Sequence, residues 1–449
     1  MGPDKYSRDL ASIKDPPGSF RSKLAFLGPG FILSASIVGS GELIATTVLG
    51  AKAGFIAFWV IIISCIIKVA IQLEFGRTAI LHGQSPMKLF SGFPGKGKWA
   101  VWIVFLLTLL KIIQVGGMLG GSALVLFLLF PHVPVSAYVI LLGCIVAVMI
   151  YKNYYRLIER SSLLMVALFT FLTLVSLISV AFTPYKFSLA DVTEGLKFNL
   201  PPGALVFAIG AFGITGVASD EIIAYNYWCI EKGYAAYTGS YENTPEWKNR
   251  AEGWIRIMRM DALFAMVIYT LVTAAFYLLG ASILHSSKNI PDGTQLIVLL
   301  AGIYTKTLGE GVKLFYLAGA FFVLFSSVFA TLAYWTRLFA DIFGQFGWIN
   351  FSNFKSRKRT VAILAWTLPV TWMLAFFFIR QPTLMILSGG FVGSMLLLLV
   401  CYAAIWFRYS KNAFISKTIT GDLFLWVSVI SIFILGAYGI FEIGNQFLF

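Results

Sequence analysis

Two short segments of the chain match each other without gaps: Val38-Gly39-Ser40-Gly41-Glu42-Leu43-Ile44-Ala45 and Val217-Ala218-Ser219-Asp220-Glu221-Ile222-Ile223-Ala224. Five of the eight aligned positions are identical, and a Pro-Gly step precedes each segment, at Pro29-Gly30 and Pro202-Gly203. Both segments place small and polar residues inside a long apolar run. The match therefore predicts an internal repeat in which one helix of each copy is interrupted at the same place.

The composition assigns these segments to a membrane protein. Of 449 residues, 59% are hydrophobic and only 12% are charged, whereas a soluble chain carries about a quarter charged residues. This excludes an ordinary soluble enzyme and a disordered protein. Eleven runs approach the length of about 20 apolar residues that a membrane-spanning helix needs. They cover approximately residues 24–49, 55–81, 99–130, 134–151, 157–182, 203–230, 260–284, 312–341, 361–379, 383–407 and 420–443.

The formal net charge of +14 also follows from membrane topology. With the N-terminus in the cytoplasm, 25 of the 34 Lys and Arg residues fall on the cytoplasmic side and 7 on the opposite side, while Lys68 and Lys111 lie within spans. This asymmetry follows the positive-inside rule. We therefore expect a cell-membrane protein with a cytoplasmic N-terminus, a C-terminus on the opposite side and no cleaved signal peptide. We expect the lipid bilayer as a partner and no nucleic acid.

The repeat and the spans together predict the domain organisation. A cytoplasmic tail at 1–23 precedes a first five-helix repeat at 24–182, a second five-helix repeat at 183–407, and an extra helix with the C-terminus at 408–449. The two interrupted helices are the first and the sixth. They enter the membrane from opposite sides, because an odd number of spans separates their starts. We predict an all-α integral membrane fold with a 5+5 inverted repeat.

The interruptions at 39–42 and 217–221 are the candidate substrate site. An unwound segment frees backbone N–H and C=O groups, which a membrane tolerates only where they line protein or water. The half-helix that follows presents a positive dipole end. A glycine kink used only for packing is the alternative, but two matching interruptions favour a site. The candidate substrate-binding residues are Gly39, Ser40, Gly41, Glu42, Val217, Ala218, Ser219, Asp220 and Glu221.

Three acids of this set allow two roles. Glu42 and Glu221 occupy equivalent places in the two copies, and Asp220 precedes Glu221. A carboxylate inside a membrane span is costly and suggests a function in handling substrate or protons. Each also lies where an acid can cap the first N–H groups of a half-helix. The sequence leaves both roles open.

Beyond this pattern, the chain resembles a known family. Gly28-Pro29-Gly30-Phe31 followed by an interrupted first helix is similar to the Nramp-type (natural resistance-associated macrophage protein) metal-ion transporters, which have the LeuT-like 5+5 fold. The resemblance covers roughly residues 20–443. It implies a secondary transporter that works by alternating access and is not an enzyme. Further matching segments are Arg259-Met260-Asp261, Ser326-Ser327-Val328, Thr331-Leu332-Ala333 and Leu387-Ser388.

The residues at the family's metal site differ. Its Asp-Pro-Gly-Asn motif falls on 39–42, its Met-Pro-His on 217–219, and a ligand glutamine of the tenth helix falls near Gly389. Because the soft thioether ligand that favours transition metals is absent, we expect that site to be lost. Gly39-Ser40-Gly41 resembles instead the Gly-x-Gly break of amino-acid transporters in the broader amino acid–polyamine–cation superfamily. There, backbone N–H groups approach a substrate carboxylate.

We therefore favour a small organic solute, such as an amino acid or another carboxylate, as the substrate. The alternative is a proton- or ion-coupled transporter of a divalent cation, Mg²⁺ or Mn²⁺, held by oxygen ligands. We expect no cofactor, assign no metal ligands and expect H⁺ or Na⁺ as the coupling ion. The coupling candidates are Lys111, Ser326 and Ser327. Aromatic residues that either line an organic pocket or pack between helices are Tyr225, Tyr227, Trp228, Tyr334 and Trp335.

Overall fold

The computed structural model describes residues 6, 10–39, 41–152, 167, 169–201, 203–285, 294–410 and 418–448. Within this part the protein is helical, and no described residue belongs to a β-strand. The buried apolar side chains form one contiguous core that includes all the site helices. The predicted all-α class is therefore confirmed for the described residues.

The sixteen principal helices of the described part are numbered in chain order. They are α1 (Pro29–Ile37), α2 (Gly41–Thr46), α3 (Thr47–Ala53), α4 (Phe58–His82), α5 (Trp99–Leu110), α6 (Ile112–Leu129), α7 (Val135–Tyr151), α8 (Phe169–Phe182), α9 (Leu205–Ile214), α10 (Ser219–Lys232), α11 (Pro245–Leu279), α12 (Thr294–Leu308), α13 (Lys313–Phe346), α14 (Phe354–Ile379), α15 (Pro382–Tyr409) and α16 (Ile419–Leu448). Shorter helical segments lie before and between them, at Leu10–Ser12, Phe20–Leu24, Pro86–Phe90, Leu189–Glu194, Tyr234–Thr238, Gly280–Leu284 and Glu310–Val312.

Eight helical stretches of the described part are long and apolar enough to cross a membrane; one combines α5 with α6 and another combines α9 with α10. Three shorter apolar helices accompany them, at Val135–Tyr151, Phe169–Phe182 and Ile297–Leu308. The chain is a multi-pass membrane protein. The count of eleven spans stays a prediction, because α1 to α3 divide the first predicted run and part of the run at 157–182 lies outside the described residues.

One helix was not predicted. α12 lies between the runs at 260–284 and 312–341, where we expected only a connection. Its 15 residues make a helix of about 22 Å, shorter than the hydrocarbon core of about 30 Å. A search for runs of spanning length therefore misses it.

Helical structure stops at both matched segments. α1 ends at Ile37, and a π-helical stretch, α2, begins at Gly41. α9 ends at Ile214 and α10 begins at Ser219; between them Gly216 has a φ of 62°. The second interruption thus covers 215–218 rather than 217–221. Ser219 to Glu221 form the first turn of α10, where acidic side chains complement the free N–H groups.

Glycine allows the second interrupted helix to touch its neighbour. A Cβ atom at Gly213 of α9 would lie 1.8 Å from the carbonyl oxygen of Gly390 in α15, and one at Gly390 would lie 2.2 Å from the carbonyl oxygen of Gly210. Backbone approach through small residues is the usual way in which membrane helices pack. α9 is therefore held against α15 with no room for a side chain.

The start of α1 is anchored by α11. The Asp261 carboxylate, which is fully buried, accepts hydrogen bonds from the backbone N–H of Gly28 at 2.9 Å and of Gly30. These N–H groups have no partner within their own helix. A Cβ atom at Gly30 would lie 2.8 Å from the Asp261 carbonyl oxygen, so glycine is needed for this contact. This explains why the Pro29-Gly30 step and Asp261 occur together.

A buried ionic network joins α4, α15 and α16. Glu74 of α4 pairs with Arg77 at 2.7 Å and with Arg408 of α15 at 3.3 Å. Arg408 also pairs with Asp422 of α16 at 2.8 Å. Glu74 is therefore paired within the bundle, and the network fixes the last helix to the rest of the protein.

We predict that Gly213→Ala destabilises the protein by about 1–3 kcal/mol or more, because the added methyl group has to displace a backbone carbonyl. Thermal unfolding of the detergent-purified protein measures this. Gly121→Ala is the matched control, because a Cβ atom there meets only Leu324 Cδ1 at 3.5 Å. Equal melting temperatures for the two variants would contradict the tight packing of α9 on α15.

We predict that Asp261→Ala lowers the melting temperature clearly, since it leaves the buried N–H of Gly30, at about 1–3 kcal/mol, and the part-buried N–H of Gly28 without an acceptor. Asp191→Ala is the control. Asp191 also accepts a backbone hydrogen bond, from the N–H of Ser188 at 2.7 Å, but this pair is exposed. A loss for Asp191→Ala as large as that for Asp261→Ala would be evidence against the anchoring role.

Candidate functional site

A cavity of about 80 Å³ lies beside the two interruptions. Its walls come from α1, α6, α9, α10 and α13 and are mostly apolar. Of the predicted substrate-binding residues, the lining includes Gly41, Ala218, Asp220 and Glu221. The remaining ones lie outside the lining: Gly39, Glu42, Val217 and Ser219. Ser40 lies outside the described residues.

All three predicted coupling residues also line this cavity: Lys111, Ser326 and Ser327. The two serine hydroxyls donate hydrogen bonds to the carbonyl of Val323 in their own helix, at 3.0 and 3.2 Å. Such bonds are common for serine in membrane helices. A coupling role of the serines stays a prediction.

The charged feature of the cavity is an ion pair between two helices. Lys111 lies between α5 and α6, and its Nζ donates to Oδ1 of Asp220 in the first turn of α10. Only 2% of the Lys111 residue is exposed. Gly393 of α15 lies close to the pair, since a Cβ atom there would be 3.7 Å from Lys111 Nζ, an ordinary contact distance. Buried charges are tolerated when they are paired in this way.

Glu221 caps α10 and also lines the cavity. Its Oε2 accepts a hydrogen bond from the N–H of Ala218 at 2.9 Å, and the residue is only partly buried. The capping role considered from the sequence is therefore present. A carboxylate that both caps a half-helix and contacts the cavity can also interact with a bound solute.

Glu42 connects the two interruptions. The residue is fully buried, and its carboxylate accepts long hydrogen bonds from the N–H of Gly39 at 3.4 Å and of Gly216 at 3.3 Å. The hydroxyl of Thr273 in α11 donates to it at 3.3 Å. One side chain thus contacts backbone groups of both breaks, a role that the sequence did not reveal.

Lys68 of α4 approaches the second interruption from the other side. Its Nζ donates to the carbonyl oxygens of Phe212 and Thr215, the latter at 2.9 Å. Thr215 C=O and Gly216 N–H belong to one peptide unit, so Lys68 and Glu42 hold the two ends of the same peptide bond. The only sequence signal for this contact is a lysine in the middle of an apolar run.

A glutamine side chain reaches the cavity from α6 rather than from α15. The position near Gly389 of α15 carries no side chain, and a Cβ atom there would lie within 2.1 Å of Gln114 Cβ and 2.4 Å of its Oε1. Gln114 belongs to α6 and lines the cavity. Its Oε1 is buried without a hydrogen-bond partner among the described residues. An amide from α6 therefore fills the place that the glycine of α15 leaves open.

The aromatic candidates divide into two groups. Trp228, Tyr334 and Trp335 line the cavity. Tyr225 and Tyr227 do not line it; their hydroxyls donate to Met258 O at 3.3 Å and to Asp341 Oδ2 at 2.7 Å. Tyr225 and Tyr227 therefore pack between helices, whereas a role of Trp228, Tyr334 and Trp335 in an organic pocket stays a prediction.

At the far end of α10, a second ion pair supports the cavity wall. Arg337 of α13 binds Glu231 through two nitrogens, one of them at 3.0 Å, and its guanidinium stacks 5.1 Å from the ring of Trp228. The Tyr6 hydroxyl of the N-terminal tail donates to Glu231 at 3.2 Å. Burial raises the pKa of Tyr6 well above its usual value, so the hydroxyl remains a donor. The tail thus contacts the base of α10.

The described residues offer no ready cluster of metal ligands. No group of three or more His, Cys, Asp or Glu side chains in this part of the chain is placed to hold a metal ion. His285 Nδ1 lies 2.9 Å from the carbonyl oxygen of Ala51, away from the cavity lining. The acids nearest the cavity are instead engaged with Lys111 and with backbone N–H groups.

Comparison with known proteins agrees with this architecture. The family model described as natural resistance-associated macrophage protein-like matches residues 30–442. An uncharacterized protein of Pasteurella multocida is 28% identical over 331 residues, covering 71% of this chain and 70% of that protein. The divalent metal cation transporter MntH of Caldanaerobacter subterraneus subsp. tengcongensis is 24% identical over 298 residues, covering 63% of this chain and 65% of that protein, just under two thirds.

Solved structures are similar in fold. The manganese transporter of Eremococcus coleocola, bound to an aromatic bis-isothiourea compound, superposes with a TM-score of 0.69 at 15% identity, covering 97% of this chain and 89% of that one. MhsT in complex with L-phenylalanine superposes with a TM-score of 0.57 at 15% identity, covering 94% and 99%. Both belong with the LeuT-like transporter fold. This chain belongs to the Nramp family and is a membrane transporter of that family.

Proposed function

We propose that the protein is an alternating-access secondary transporter of a small organic solute that carries a carboxylate, such as an amino acid. The solute binds in the cavity between the interruptions near 39–42 and 215–218. Eleven spans form two inverted five-helix repeats, at 24–182 and 183–407, and an additional helix. The cavity then lies at the interface of the repeats, where transporters of this architecture bind their substrates.

The ion pair between Lys111 and Asp220 carries this proposal. A divalent cation in the cavity would lie beside an ammonium group. At 4 Å and an effective dielectric constant of about 20, two unit charges of like sign repel by about 4 kcal/mol, and a double charge doubles the repulsion. Of the two acids in the cavity lining, Asp220 is already neutralised by Lys111, and Glu221 accepts the N–H of Ala218. The cavity therefore disfavours a free metal ion.

The same pair suits a zwitterion. An amino acid that enters between the two side chains places its carboxylate on Lys111 and its ammonium on Asp220. One ion pair is then exchanged for two, so no buried charge is left without a partner. A cavity of about 80 Å³ also exceeds the space that one ion or water needs.

Unsatisfied polar atoms around the cavity support a polar organic ligand. Gln114 Oε1, Tyr334 OH and Trp335 Nε1 belong to lining residues and have no hydrogen-bond partner among the described residues. An unmade buried hydrogen bond costs about 1–3 kcal/mol. A solute with both donors and acceptors would recover part of this cost, and the aromatic rings would pack on its apolar part.

A divalent cation is the second candidate. MntH relatives are named divalent metal cation transporters, and a similar structure is that of a manganese transporter. Mg²⁺ or Mn²⁺ would use oxygen ligands such as Asp220, Glu221 and freed carbonyls. This requires Lys111 to leave Asp220 before the ion enters.

A thermal-shift screen of the purified protein separates the two candidates. The screen covers the standard amino acids, short mono- and dicarboxylates, MgCl₂ and MnCl₂. We expect saturable stabilisation by at least one amino acid or carboxylate and none by the metals beyond the ionic-strength control. Stabilisation by Mn²⁺ or Mg²⁺ alone would reject the organic substrate.

Lys111→Met provides a test at the level of one residue, since it keeps the apolar stem and removes the charge. We expect the affinity for the stabilising amino acid or carboxylate to fall about tenfold or more, because a charged hydrogen bond is worth about 1.5–3 kcal/mol. Affinity is measured by titration in the same assay. Lys52→Met, at an exposed lysine beside Phe207 of α9, is the control.

The metal alternative predicts the opposite result for Lys111→Met. Removal of the ammonium would free Asp220 and strengthen Mn²⁺ binding. Lys111→Met leaves the charge of Asp220 unpaired, which can impair folding. The double variant Lys111→Met, Asp220→Asn removes that charge as well and serves as the reference for Mn²⁺ binding. Tighter Mn²⁺ binding by Lys111→Met than by the double variant would support the metal alternative.

A further inference from the structure

Several oxygen atoms lie close together at the C-terminal end of α9, in the interior of the helix bundle. Because α9 ends at Ile214, its last carbonyl groups have no partner within the helix. The negative end of the helix dipole points the same way. The Ser64 hydroxyl of α4 lies 3.1 Å from Thr215 O, 3.3 Å from Phe212 O and 3.0 Å from Thr215 Oγ1. Two carbonyls and two hydroxyls are thus close together.

Lys68 places an ammonium group among these oxygens. The residue is fully buried, and its Nζ donates to the carbonyls of Phe212 and Thr215. The Nζ also lies 4.6 Å from the centroid of the Phe212 ring, within cation–π distance. Among the described residues, no carboxylate forms a salt bridge with Lys68. Carbonyl dipoles, not an acid, directly hold this charge.

This arrangement is typical of a bound alkali cation. Half-helix carboxyl ends and unwound carbonyls coordinate Na⁺ in transporters with broken helices, and hard cations prefer oxygen ligands. Here the position is filled by a side chain that cannot dissociate. The contact also fixes the peptide unit between Thr215 and Gly216, whose N–H donates to Glu42. The ammonium therefore holds the second interruption in place, as a bound cation would.

We propose that Lys68 is a tethered cation that occupies a coupling-ion position, so that the protein needs no Na⁺ at this site. The proposal rests on the alternating-access function above but not on the identity of the substrate. The sequence analysis expects H⁺ or Na⁺ as the coupling ion. If Lys68 fills the site at the end of α9, Na⁺ does not bind there. Replacing the side chain by a smaller one should create a site that an external cation can fill.

The experiment uses the full chain, purified in detergent, with Lys68→Ala and Lys68→Met. Thermal stability is measured in choline chloride, NaCl and propylammonium chloride at equal ionic strength, and Na⁺ binding is measured with ²²Na⁺. Propylammonium reproduces the part of the lysine side chain that alanine lacks. Lys68→Met fills the space without a charge, and Lys52→Ala is a control for loss of a lysine near α9.

We expect the wild type and Lys52→Ala to melt at the same temperature in NaCl and choline chloride and to bind no ²²Na⁺ saturably. Lys68→Ala should melt lower in choline chloride, recover at least half of the loss in NaCl or propylammonium chloride, and bind ²²Na⁺ if Na⁺ is the rescuing cation. Lys68→Met should lose stability and recover none of it with either cation.

Two results would overturn the proposal. One is a failure of cation rescue, in which neither Na⁺ nor propylammonium raises the melting temperature of Lys68→Ala more than that of Lys68→Met. The other is saturable ²²Na⁺ binding by the wild type that the double substitution Ser326→Ala, Ser327→Ala leaves intact, which can be measured even if no Lys68 variant folds. Neither measurement includes an organic solute or Mn²⁺, so an incorrect substrate assignment would leave this test unaffected.

Discussion

Backbone groups that lose their helical partners inside a membrane need another partner, and this constraint organises the site. Charged side chains meet it here. Asp261 accepts from the N–H groups that begin α1, Glu221 accepts from the N–H before α10, and Glu42 accepts from both interruptions. Lys68 donates to the carbonyl end of α9. Acids therefore bind N–H groups and a lysine binds carbonyls, as the helix dipoles favour.

This assignment changes how the acidic residues are interpreted. Carboxylates in membrane spans suggest metal or proton handling, but Glu42 and Glu221 already serve the backbone, and Asp220 is paired with Lys111. Among the described residues, the cavity thus contains an ion pair rather than a set of free metal ligands. Under the proposed function, a member of a family that includes named metal transporters keeps the transporter fold and recognises a different solute.

Much of the fold followed from the sequence, because the apolar runs and the matched segments are local patterns. They singled out Asp220, Glu221 and Lys111, which the structure brings together in the lining of one cavity. The contacts of Lys68 and Gln114 did not follow, because each joins helices far apart in the chain, and periodicity holds no information about which helices are neighbours. The predicted interruption, 217–221, lies a few residues after the observed one at 215–218. Polar residues occur in the first turn of the helix that follows an interruption as well as in the interruption itself, so the sequence does not separate the two.

The proposed function places the substrate between Lys111 and Asp220. A high-resolution cryo-electron microscopy structure with the most stabilising compound from the ligand screen tests it most directly. We expect density for an organic molecule whose carboxylate lies within hydrogen-bond distance of Lys111 Nζ, with the Lys111–Asp220 pair opened. A metal ion coordinated at the interruptions, with Lys111 withdrawn from the cavity, would contradict it.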